Sequence, residues 1–471
     1  MRGRLLLCAF AVAAVMLVPT GAASAGTPGN WTQFTTSNLH NFAEPGLART
    51  ADGVLHVVWH RPVSASSDDL MHTAISRTGG VVGGPVTIES GWQGLNAQPD
   101  LVAAPGGTSL RVFFAGTHTL TLEDTLNYQL LTATAGPDGS SWSAPQRVTS
   151  SSHPSYASAG IGAAMAPNGT PVVAAGDPGN IFHFGIGGPD FVYESRAGMN
   201  VYDPGVGVDS TSRQAVLAWF SLGDASEGTY ARAITPSGPS GSTVFLPGSA
   251  SADRRSANPP LQRTAITGRL GDSGVYIAYG VGYPSRTSVA LARFGGGSLT
   301  VGRGTSIDNV AIAPAPEGRL WVTWSDGPKI YAVRTNKAAT RVGPRVAINR
   351  PPGSVSVFGV FGEGSLGTLD LIANSGTASN AVAMWHTEVL PPLELRARGG
   401  RGSVTATVTD AGDPVAGAAV AAGGRRGTTN GQGVATLKVA RTGRVTVKAT
   451  KGGYRAASAG ARVLRPKKKK R

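Results

Sequence analysis

The sequence predicts an all-β protein, a seven-bladed β-propeller followed by a small antiparallel β-sandwich. Two observations predict this fold class. A short apolar strand with the same flanking turn recurs about every 52 residues. After Pro392 the composition changes to short, alternating and strongly basic segments. The 66 Gly and 31 Pro residues supply the turns that many short strands require.

The repeat is clearest in two distant strands, "LHVVW" ending at Trp59 and "LWVTW" ending at Trp324. A turn such as Asp52-Gly53 or Asn168-Gly169 stands ahead of such strands and supplies the positive φ of a hairpin. Equivalent strands end at Phe114, Ala175, Trp219, Tyr279 and Ala373. The repeating unit is therefore a hairpin followed by further strands.

Each unit has another short strand before the hairpin turn and two behind it, except the last, which is one strand short. Four alternating strands in about 50 residues are typical of a propeller blade. The segment "WTQFTTS", Trp31 to Ser37, is the candidate for the missing outer strand. We expect residues 26–392 to form one ring, closed so that no free strand edge remains between the last unit and the first.

This pattern resembles the BNR or sialidase-type propeller repeat of secreted bacterial proteins, over roughly 360 residues. The local mark of that family is the Asp box, on the turn between third and fourth strands. The nearest match is "GPDGSSWSAP", Gly136 to Pro145, in which Gly139 and Trp142 fit while the Asp is displaced. The resemblance implies the fold, and that ligands bind where the loops between second and third strands and the connections between blades emerge.

The first 25 residues read as a secretory signal peptide, with two Arg, an apolar run from Leu5 to Val18, and Ala23-Ser24-Ala25 as the cleavage site. Cys8 is the one cysteine of the chain and lies inside this segment. We therefore expect a secreted, extracellular protein without disulfides, stabilised by strand packing.

The net charge of +15 is unevenly distributed. Residues 394–471 hold 18 Lys and Arg against three acidic residues. Such asymmetry predicts an acidic partner for this part of the chain, here an anionic polymer of the cell envelope. The alternative, a solubilising region, stays open. No aromatic residues interleave with the basic run, so specific nucleic-acid binding is not expected.

The C-terminal segment alternates strands with turn-rich loops, which predicts an antiparallel β-sandwich over residues 393–464. It resembles carboxypeptidase-regulatory-like and bacterial immunoglobulin-like modules, which usually decorate secreted proteins and do no chemistry. Residues 465–471 are predicted to be a disordered basic tail. The residues proposed to tether the anionic polymer are Lys467, Lys468, Lys469, Lys470 and Arg471. The motifs that carry the resemblance are Gly412 to Val420, Thr429 to Gly433 and Gly453-Tyr454.

Ligand-binding candidates follow from the face that the resemblance implies. Because Trp59 is read as the end of a second strand, His60 and Arg61 are predicted to begin a loop there. Loop aromatics on this face are candidates for stacking on sugar rings. The full set of predicted ligand-binding residues is His60, Arg61, Trp92, Asp177, Tyr202, Asp203, Tyr283 and Asp326. His56 and His72, within strands, and the strand-end aromatics are predicted to be packing residues.

Catalytic residues are not assigned. A sialidase requires an Arg cluster, a Tyr nucleophile with an acidic partner, and an Asp acid/base. Its Arg-Ile-Pro motif is missing ahead of the first blade, where the chain reads "NFAEPGLA". No metal or nucleotide motif is present, so no metal or cofactor is expected. The sequence favours a monomeric, non-catalytic protein binding a carbohydrate or protein ligand. A propeller glycoside hydrolase or polysaccharide lyase is the alternative.

Overall fold

A computed structural model describes residues 29–82, 84–96, 98–118, 129–148, 160–177, 180–185, 191–195, 199–223, 227–236, 238–249, 262–282 and 286–465. Throughout these ranges the chain is all-β, and its helical turns are short 3₁₀ segments at Pro105–Gly107 and Pro316–Gly318. No helix in the described part of the chain has the length and apolarity to cross a membrane. Every ladder between neighbouring strands is antiparallel, and the architecture is that of a β-propeller.

Within the described ranges, seven sheets lie between Thr32 and Val389, numbered here in chain order. The first strand of the chain, β1 (Thr32–Gln33), belongs to sheet 7. Sheet 1 contains β2 (Gly46–Arg49), β3 (Leu55–Ser64), β4 (Ser67–Ile75) and β5 (Val86–Trp92). Sheet 2 contains β6 (Gly94–Leu95), β7 (Asp100–Ala103), β8 (Leu110–Thr117), β9 (Gln129–Ala135) and β10 (Gln146–Arg147). Sheet 3 contains β11 (Ile161–Met165), β12 (Pro171–Asp177), β13 (Asn180–Gly185) and β14 (Phe191–Ser195).

The next four sheets repeat the same order. Sheet 4 contains β15 (Met199–Val208), β16 (Ala215–Gly223), β17 (Gly228–Thr235) and β18 (Gly238–Phe245). Sheet 5 contains β19 (Ala265–Gly268), β20 (Val275–Val281), β21 (Ser288–Arg293) and β22 (Ser298–Arg303). Sheet 6 contains β23 (Ile307–Pro314), β24 (Leu320–Asp326), β25 (Lys329–Arg334) and β26 (Val346–Asn349). Sheet 7 contains β27 (Ser354–Glu363), β28 (Leu369–Thr377), β29 (Val382–Val389) and β1.

The inner strands of these sheets surround a common axis. Strands β2, β7, β11, β15, β19, β23 and β27 each contact the next in this order, and β27 contacts β2. The small residues of these strands permit the close approach. A Cβ on Gly162 would overlap the Pro204 carbonyl oxygen, and one on Gly205 would overlap that of Thr264. Crowding at the axis therefore selects glycine at these positions.

The N-terminal segment completes sheet 7, as the sequence predicts. Strand β1 pairs with β29, with Thr32 opposite His386 and Gln33 opposite Trp385. Beside this junction Arg49 of sheet 1 makes buried ion pairs with Glu363 and Asp370 of sheet 7. The N-terminal segment is thus joined to sheet 7 by backbone pairing, and sheet 1 is joined to sheet 7 by buried ion pairs.

The strand-end aromatics form the core between sheets, which confirms their predicted packing role. Trp59, Trp219 and Trp324 are at most 1% exposed. His56 and His72 are also buried, and His56 Nδ1 lies 2.9 Å from His72 Nε2. The Asp-box-like stretch lies on the turn between β9 and β10, between the third and fourth strands as expected, where the Trp142 indole donates to the Gly139 carbonyl at 3.1 Å.

Two further sheets follow, called the C-terminal module below (residues 394–465). They share one cluster of buried apolar side chains that includes Val404, Val420 and Val447. Sheet 8 contains β30 (Glu394–Gly400), β31 (Ser403–Asp410), β32 (Asp413–Pro414) and β35 (Val434–Lys438). Sheet 9 contains β33 (Ala419–Ala422), β34 (Arg425–Thr428), β36 (Gly443–Thr450) and β37 (Ala457–Val463).

The module docks on sheet 6 through its acidic residues. Asp410 makes ion pairs with Arg319 and Arg334, and all three side chains are buried. Arg319 also contacts Asp413, Nη2 to Oδ2, at 2.6 Å. At the rim, Arg341 meets Glu394 at 3.2 Å. All three acids of the module therefore face the propeller.

Candidate functional site

The geometry of the sheets defines two faces. In a four-stranded antiparallel sheet, the turn between second and third strands and the connections to neighbouring sheets lie at one end, called here the upper face. The turns between first and second and between third and fourth strands lie at the other, lower face. Arg319 and Arg334, at the ends of such lower turns, hold the module, so the module occupies the lower face.

Buried charges meet at the upper end of the axis. Glu44 precedes β2, Asp100 begins β7, and Arg263 precedes β19. The Arg263 guanidinium contacts Asp100 at 2.6 Å, Nη1 to Oδ1, and its backbone N–H donates to Glu44 Oε1 at 2.8 Å. Asp100 also accepts hydrogen bonds from the backbone of Leu101 and Ala163, at 2.9 and 2.6 Å. One cation thus joins carboxylates from two other sheets. Glu44, Asp100 and Arg263, together with Asp203, are called here the axial cluster.

Asp203 adds a third carboxyl group to this cluster. It lies in a β-bulge of β15, where the register with β16 shifts between Tyr202 and Gly205, and its φ is 53°. Asp and Asn tolerate this left-handed conformation better than most residues. The side chain is buried, and its charge interacts with those of Glu44 and Arg263. The bulge therefore turns an acidic side chain towards the axis.

Burial governs the protonation of these acids. Desolvation raises the pKa of Glu44 to about 7, against the lowering effect of Arg263. Desolvation and the neighbouring Glu44 raise the pKa of Asp203 well above its usual range. The pKa of Asp100 is also raised by burial, although Arg263 opposes the shift. Burial therefore favours the protonated forms of these acids, in which a carboxyl group can donate as well as accept.

The segment that carries Arg263 crosses the axis. The Gln262 side chain donates to the carbonyl oxygens of Val310 and Val360 at 3.1 and 2.6 Å, and it accepts from Val360 N–H at 3.1 Å. The Thr264 N–H donates to the Asp203 carbonyl at 2.9 Å. Three consecutive residues, called here the axial segment (residues 262–264), thereby bond to inner strands from both sides of the ring.

A cavity of about 190 Å³ lies beside the axial segment. Two of its polar atoms, Glu44 Oε2 and Arg263 Nε, are buried and make no hydrogen bond within the described residues. They are 3.8 Å apart. Among the described residues, no group of three or more His, Cys, Asp or Glu side chains is placed to hold a metal ion. Residues lining the cavity include Glu44, Asp100, Gln262, Arg263, Thr264 and Phe361.

A second group lies on the upper face of sheet 1. The rings of Phe42 and His40 stack with centroids 4.9 Å apart, and His40 stacks on His60 at 5.4 Å. His60 Nε2 lies 3.2 Å from Asp68 Oδ1. Phe42 is exposed, whereas His60 is buried. The stack therefore leads from the protein surface inward, close to the loop that carries Glu44.

The prediction of a loop directly after Trp59 is wrong. His60 and Arg61 lie inside β3, which continues to Ser64. Their side chains pair across the hairpin, His60 with Asp68 and Arg61 with Asp69. Polar cross-strand pairs stabilise an extended hairpin here, and they leave the Arg61 charge neutralised.

Other predicted loop residues also lie in strands. Trp92 ends β5 and is buried, with its ring 5.7 Å from that of Phe114. Tyr202 lies in β15, beside the bulge of Asp203. Asp326 ends β24, and it accepts hydrogen bonds from the backbone of Thr305 and Ser306 at 3.1 and 2.9 Å. Of the predicted set, Asp203 alone reaches the axial cluster within the described part of the chain; whether any of them binds a ligand stays a prediction.

Asp177 ends β12, opposite Asn180. Tyr283, the tether residues Lys467–Arg471 and the signal segment 1–25 lie outside the described residues.

Sequence reasoning missed Asp100, Gln262 and Arg263 as site residues. A signal for the acids was present, because an acidic residue next to proline recurs at three inner strands: Glu44-Pro45 just before β2, Pro99-Asp100 at the start of β7, and Asp203-Pro204 within β15. No comparable local pattern marks Arg263.

Comparison with protein families finds no match, and no curated protein matches the chain. Solved structures resemble it at low identity. Virginiamycin B lyase from Staphylococcus aureus is 13% identical with a TM-score of 0.44, over 76% of this chain and 99% of the lyase. A polysaccharide lyase is 10% identical with a TM-score of 0.42, over 80% and 94%. A Hadza microbial sialidase is 11% identical with a TM-score of 0.39, over 69% and 74%. Similarity at this level shows neither an activity nor a substrate of this chain.

Proposed function

We propose that this chain is a secreted, non-catalytic binding protein. In this proposal the seven sheets are the blades of one seven-bladed propeller, and the C-terminal module is a β-sandwich. The upper end of the propeller axis binds a carbohydrate. The basic module associates with an anionic polymer of the cell envelope.

The observation that carries the carbohydrate proposal is the pair of unsatisfied atoms in the axial cavity. Arg263 Nε–H is a donor and Glu44 Oε2 an acceptor; both are buried, and within the described part of the chain neither makes a hydrogen bond, since the 3.8 Å between them is too long for one. A buried polar group without a hydrogen bond costs about 1–3 kcal/mol. A hydroxyl group accepts and donates at once, so one sugar hydroxyl between these atoms satisfies both.

The size of the cavity limits the ligand. Small-molecule sites commonly occupy about 300–1,000 Å³, whereas this cavity has about 190 Å³. A single sugar residue is therefore favoured over a larger ligand, with any further residues of a chain lying on the upper face. There, the exposed Phe42 ring offers a stacking surface.

The two proposed binding functions lie at opposite faces of the propeller. The module docks through Arg319 and Arg334 at the lower face, while the axial cluster lies at the upper end of the inner strands. A protein held to an envelope polymer by the module would therefore present its cavity away from that polymer.

The test is a glycan array followed by calorimetry on the mature chain. For any sugar that binds, Glu44→Gln and Arg263→Gln should each lower the affinity about 10- to 100-fold, as expected for the loss of a hydrogen bond to a charged group. Glu317→Gln, at the lower face, is the matched control and should bind as the parent does. Unchanged affinity in both axial variants, or no bound glycan at all, would reject the site.

A glycoside hydrolase or polysaccharide lyase is the second candidate. It is favoured by Glu44, whose pKa of about 7 suits a general acid at neutral pH, beside the ionisable Asp203. Release of reducing ends from polysaccharides, lost in Glu44→Gln but kept in Glu317→Gln, would establish this activity in place of simple binding. Binding without product release would exclude it.

A further inference from the structure

The distribution of charge on the C-terminal module singles out one sheet. No acidic residue follows Asp413 in the chain. The three acids of the module, Glu394, Asp410 and Asp413, all pair with arginines of sheet 6. They belong to sheet 8. Every acidic side chain of the module therefore lies at the interface with the propeller. Sheet 9 contributes no residue to these ion pairs.

The outer surface of sheet 9 carries two basic rows. Its inner surface supplies Val420, Val445 and Val447 to the core, so the alternate residues face outward. In one row, Arg426 and Lys448 flank Ala421 across three strands. In the other, Arg444 is directly opposite Arg462. All four basic side chains are exposed.

This arrangement opposes stability. Like charges directly opposite each other in an antiparallel pair are destabilising. Arg444 and Arg462 form such a pair, and within the described residues neither has an acidic partner. The two rows lie four residues apart along β36, about 14 Å at about 3.4 Å per residue. Four exposed positive charges in two rows on one sheet surface are suited to a chain of repeating negative groups.

We propose that this outer surface of sheet 9, called the basic sheet face (Arg426, Arg444, Lys448 and Arg462), binds a linear, phosphate-containing polymer of the cell envelope. The inference rests on the proposed envelope association and assigns it to a folded surface rather than to the terminal Lys467–Arg471 run. The face has small and polar residues between its charges, Ala421, Thr446 and Ser458, and no aromatic ring on which a nucleic-acid base could stack.

Affinity should come from the array and not from any one pair. A single exposed ion pair contributes about 0–1 kcal/mol. By analogy with nucleic acids, each contact to a flexible polyanion releases about 0.7 counterion, so loss of two contacts should lower the salt slope by about 1.4.

The experiment measures retention of the full mature chain on bacterial cell walls as salt is raised, before and after acid extraction of their phosphate polymer. Arg426→Gln/Lys448→Gln and Arg444→Gln/Arg462→Gln should each reduce affinity about tenfold near 0.1 M salt. The matched control, Arg396→Gln/Lys438→Gln, removes equal charge from exposed positions of sheet 8 and should have a smaller effect. A chain ending at Arg465 tests the terminal run.

The outcomes separate the two claims. If the chain ending at Arg465 loses retention while both sheet-9 variants keep it, the inference is rejected and envelope association through the tail stands. If the full chain is not retained, envelope association itself fails. If it is retained equally after extraction, the phosphate-containing polymer is not the ligand and the inference is rejected. Tighter binding to single-stranded DNA than to the extracted polymer would also overturn the proposal.

Discussion

Arg334 of the propeller and Asp410 of the C-terminal module form a buried ion pair across the boundary between the two parts of the chain. The same carboxylate lies 3.3 Å from Arg319 Nη1. The Arg334 guanidinium also packs over the rings of Trp321 and Tyr454, one from each side of the boundary. Because the three ion-paired groups are desolvated, the module is fixed to sheet 6 rather than linked loosely to it.

Removal of this carboxylate charge should therefore release the module. Asp410→Asn leaves the buried Arg334 guanidinium without its anion, while Arg319 keeps Asp413, and breaking such a buried pair costs about 3–5 kcal/mol. We expect a lower thermal unfolding temperature and faster proteolysis near residues 390–393. Differential scanning calorimetry and limited proteolysis measure both effects.

The control for this variant is Glu394→Gln. The Arg341–Glu394 pair lies at the rim, with half of the Arg341 side chain exposed, so its loss should cost at most about 1 kcal/mol. Equal effects of the two substitutions would show that Asp410 does not hold the module.

Glycine at the axis gives a second prediction. A Cβ on Gly205 would overlap the Thr264 carbonyl oxygen of the axial segment and meet the Ile266 side chain at 2.7 Å. Gly205→Ala should lower stability by about 1–3 kcal/mol, as overpacking does. Gly297→Ala, where a Cβ meets no atom within 4 Å, is the control. Urea unfolding midpoints that match for the two variants would contradict the crowding at the axis.

The repeating parts of the fold could be predicted because each sheet needs the same residues. The aromatic positions of Trp59 and Trp324 are set by packing between sheets, and that requirement recurs with the period of the chain. The pairing of β1 with β29 could also be predicted, because the last unit lacked one strand and an unassigned strand preceded the first unit.

The ends of strands could not be predicted in the same way. Beyond Trp59 the chain becomes polar and contains Pro62, which favours a loop, yet β3 continues through Arg61 because Asp69 neutralises it from across the hairpin. Pro62 is accommodated where the register shifts. Such pairing depends on which residues face each other, and this is fixed only once the register is known.

The axial cluster depends on tertiary structure for another reason. Asp100 and Arg263 meet because sheets 2 and 5 surround one axis, and no local pattern connects two residues 163 positions apart. The recurrence of an acid beside proline at three inner strands was visible in the sequence. The single cation that joins these acids was not.

Acid sensitivity should come from a buried histidine. Burial and the neighbouring His56 lower the pKa of His72 to about 4. The unfolded chain, with a pKa of 6.5 at this residue, takes up the proton first, so stability falls as the pH falls from about 6.5 to about 4. The loss is on the order of 3 kcal/mol. His72→Gln should make the urea unfolding midpoint depend less on pH over this range. A pH dependence equal to that of the parent protein would exclude His72 as the cause.

Glu44 should change the stability of the protein with pH in the opposite direction to His72. Its folded pKa of about 7 lies above the ordinary value of 4.5. The folded protein holds the proton more tightly than the unfolded chain, so this group's contribution falls as the pH rises from about 4.5 to 7, by on the order of 3 kcal/mol. Glu44→Gln keeps an acceptor for Gln98 and for the Arg263 N–H but cannot ionise.

We therefore expect Glu44→Gln to match the parent protein near pH 4.5 and to unfold at higher urea above pH 7.5. Urea midpoints of both proteins measured from pH 4.5 to 8.5 test this sign directly, and Glu317→Gln serves as the control for removal of a carboxylate outside the axial cluster. If Glu44→Gln is less stable than the parent at high pH, the ionised carboxylate is favourable in the folded ring. Its pairing with Arg263 would then outweigh its burial.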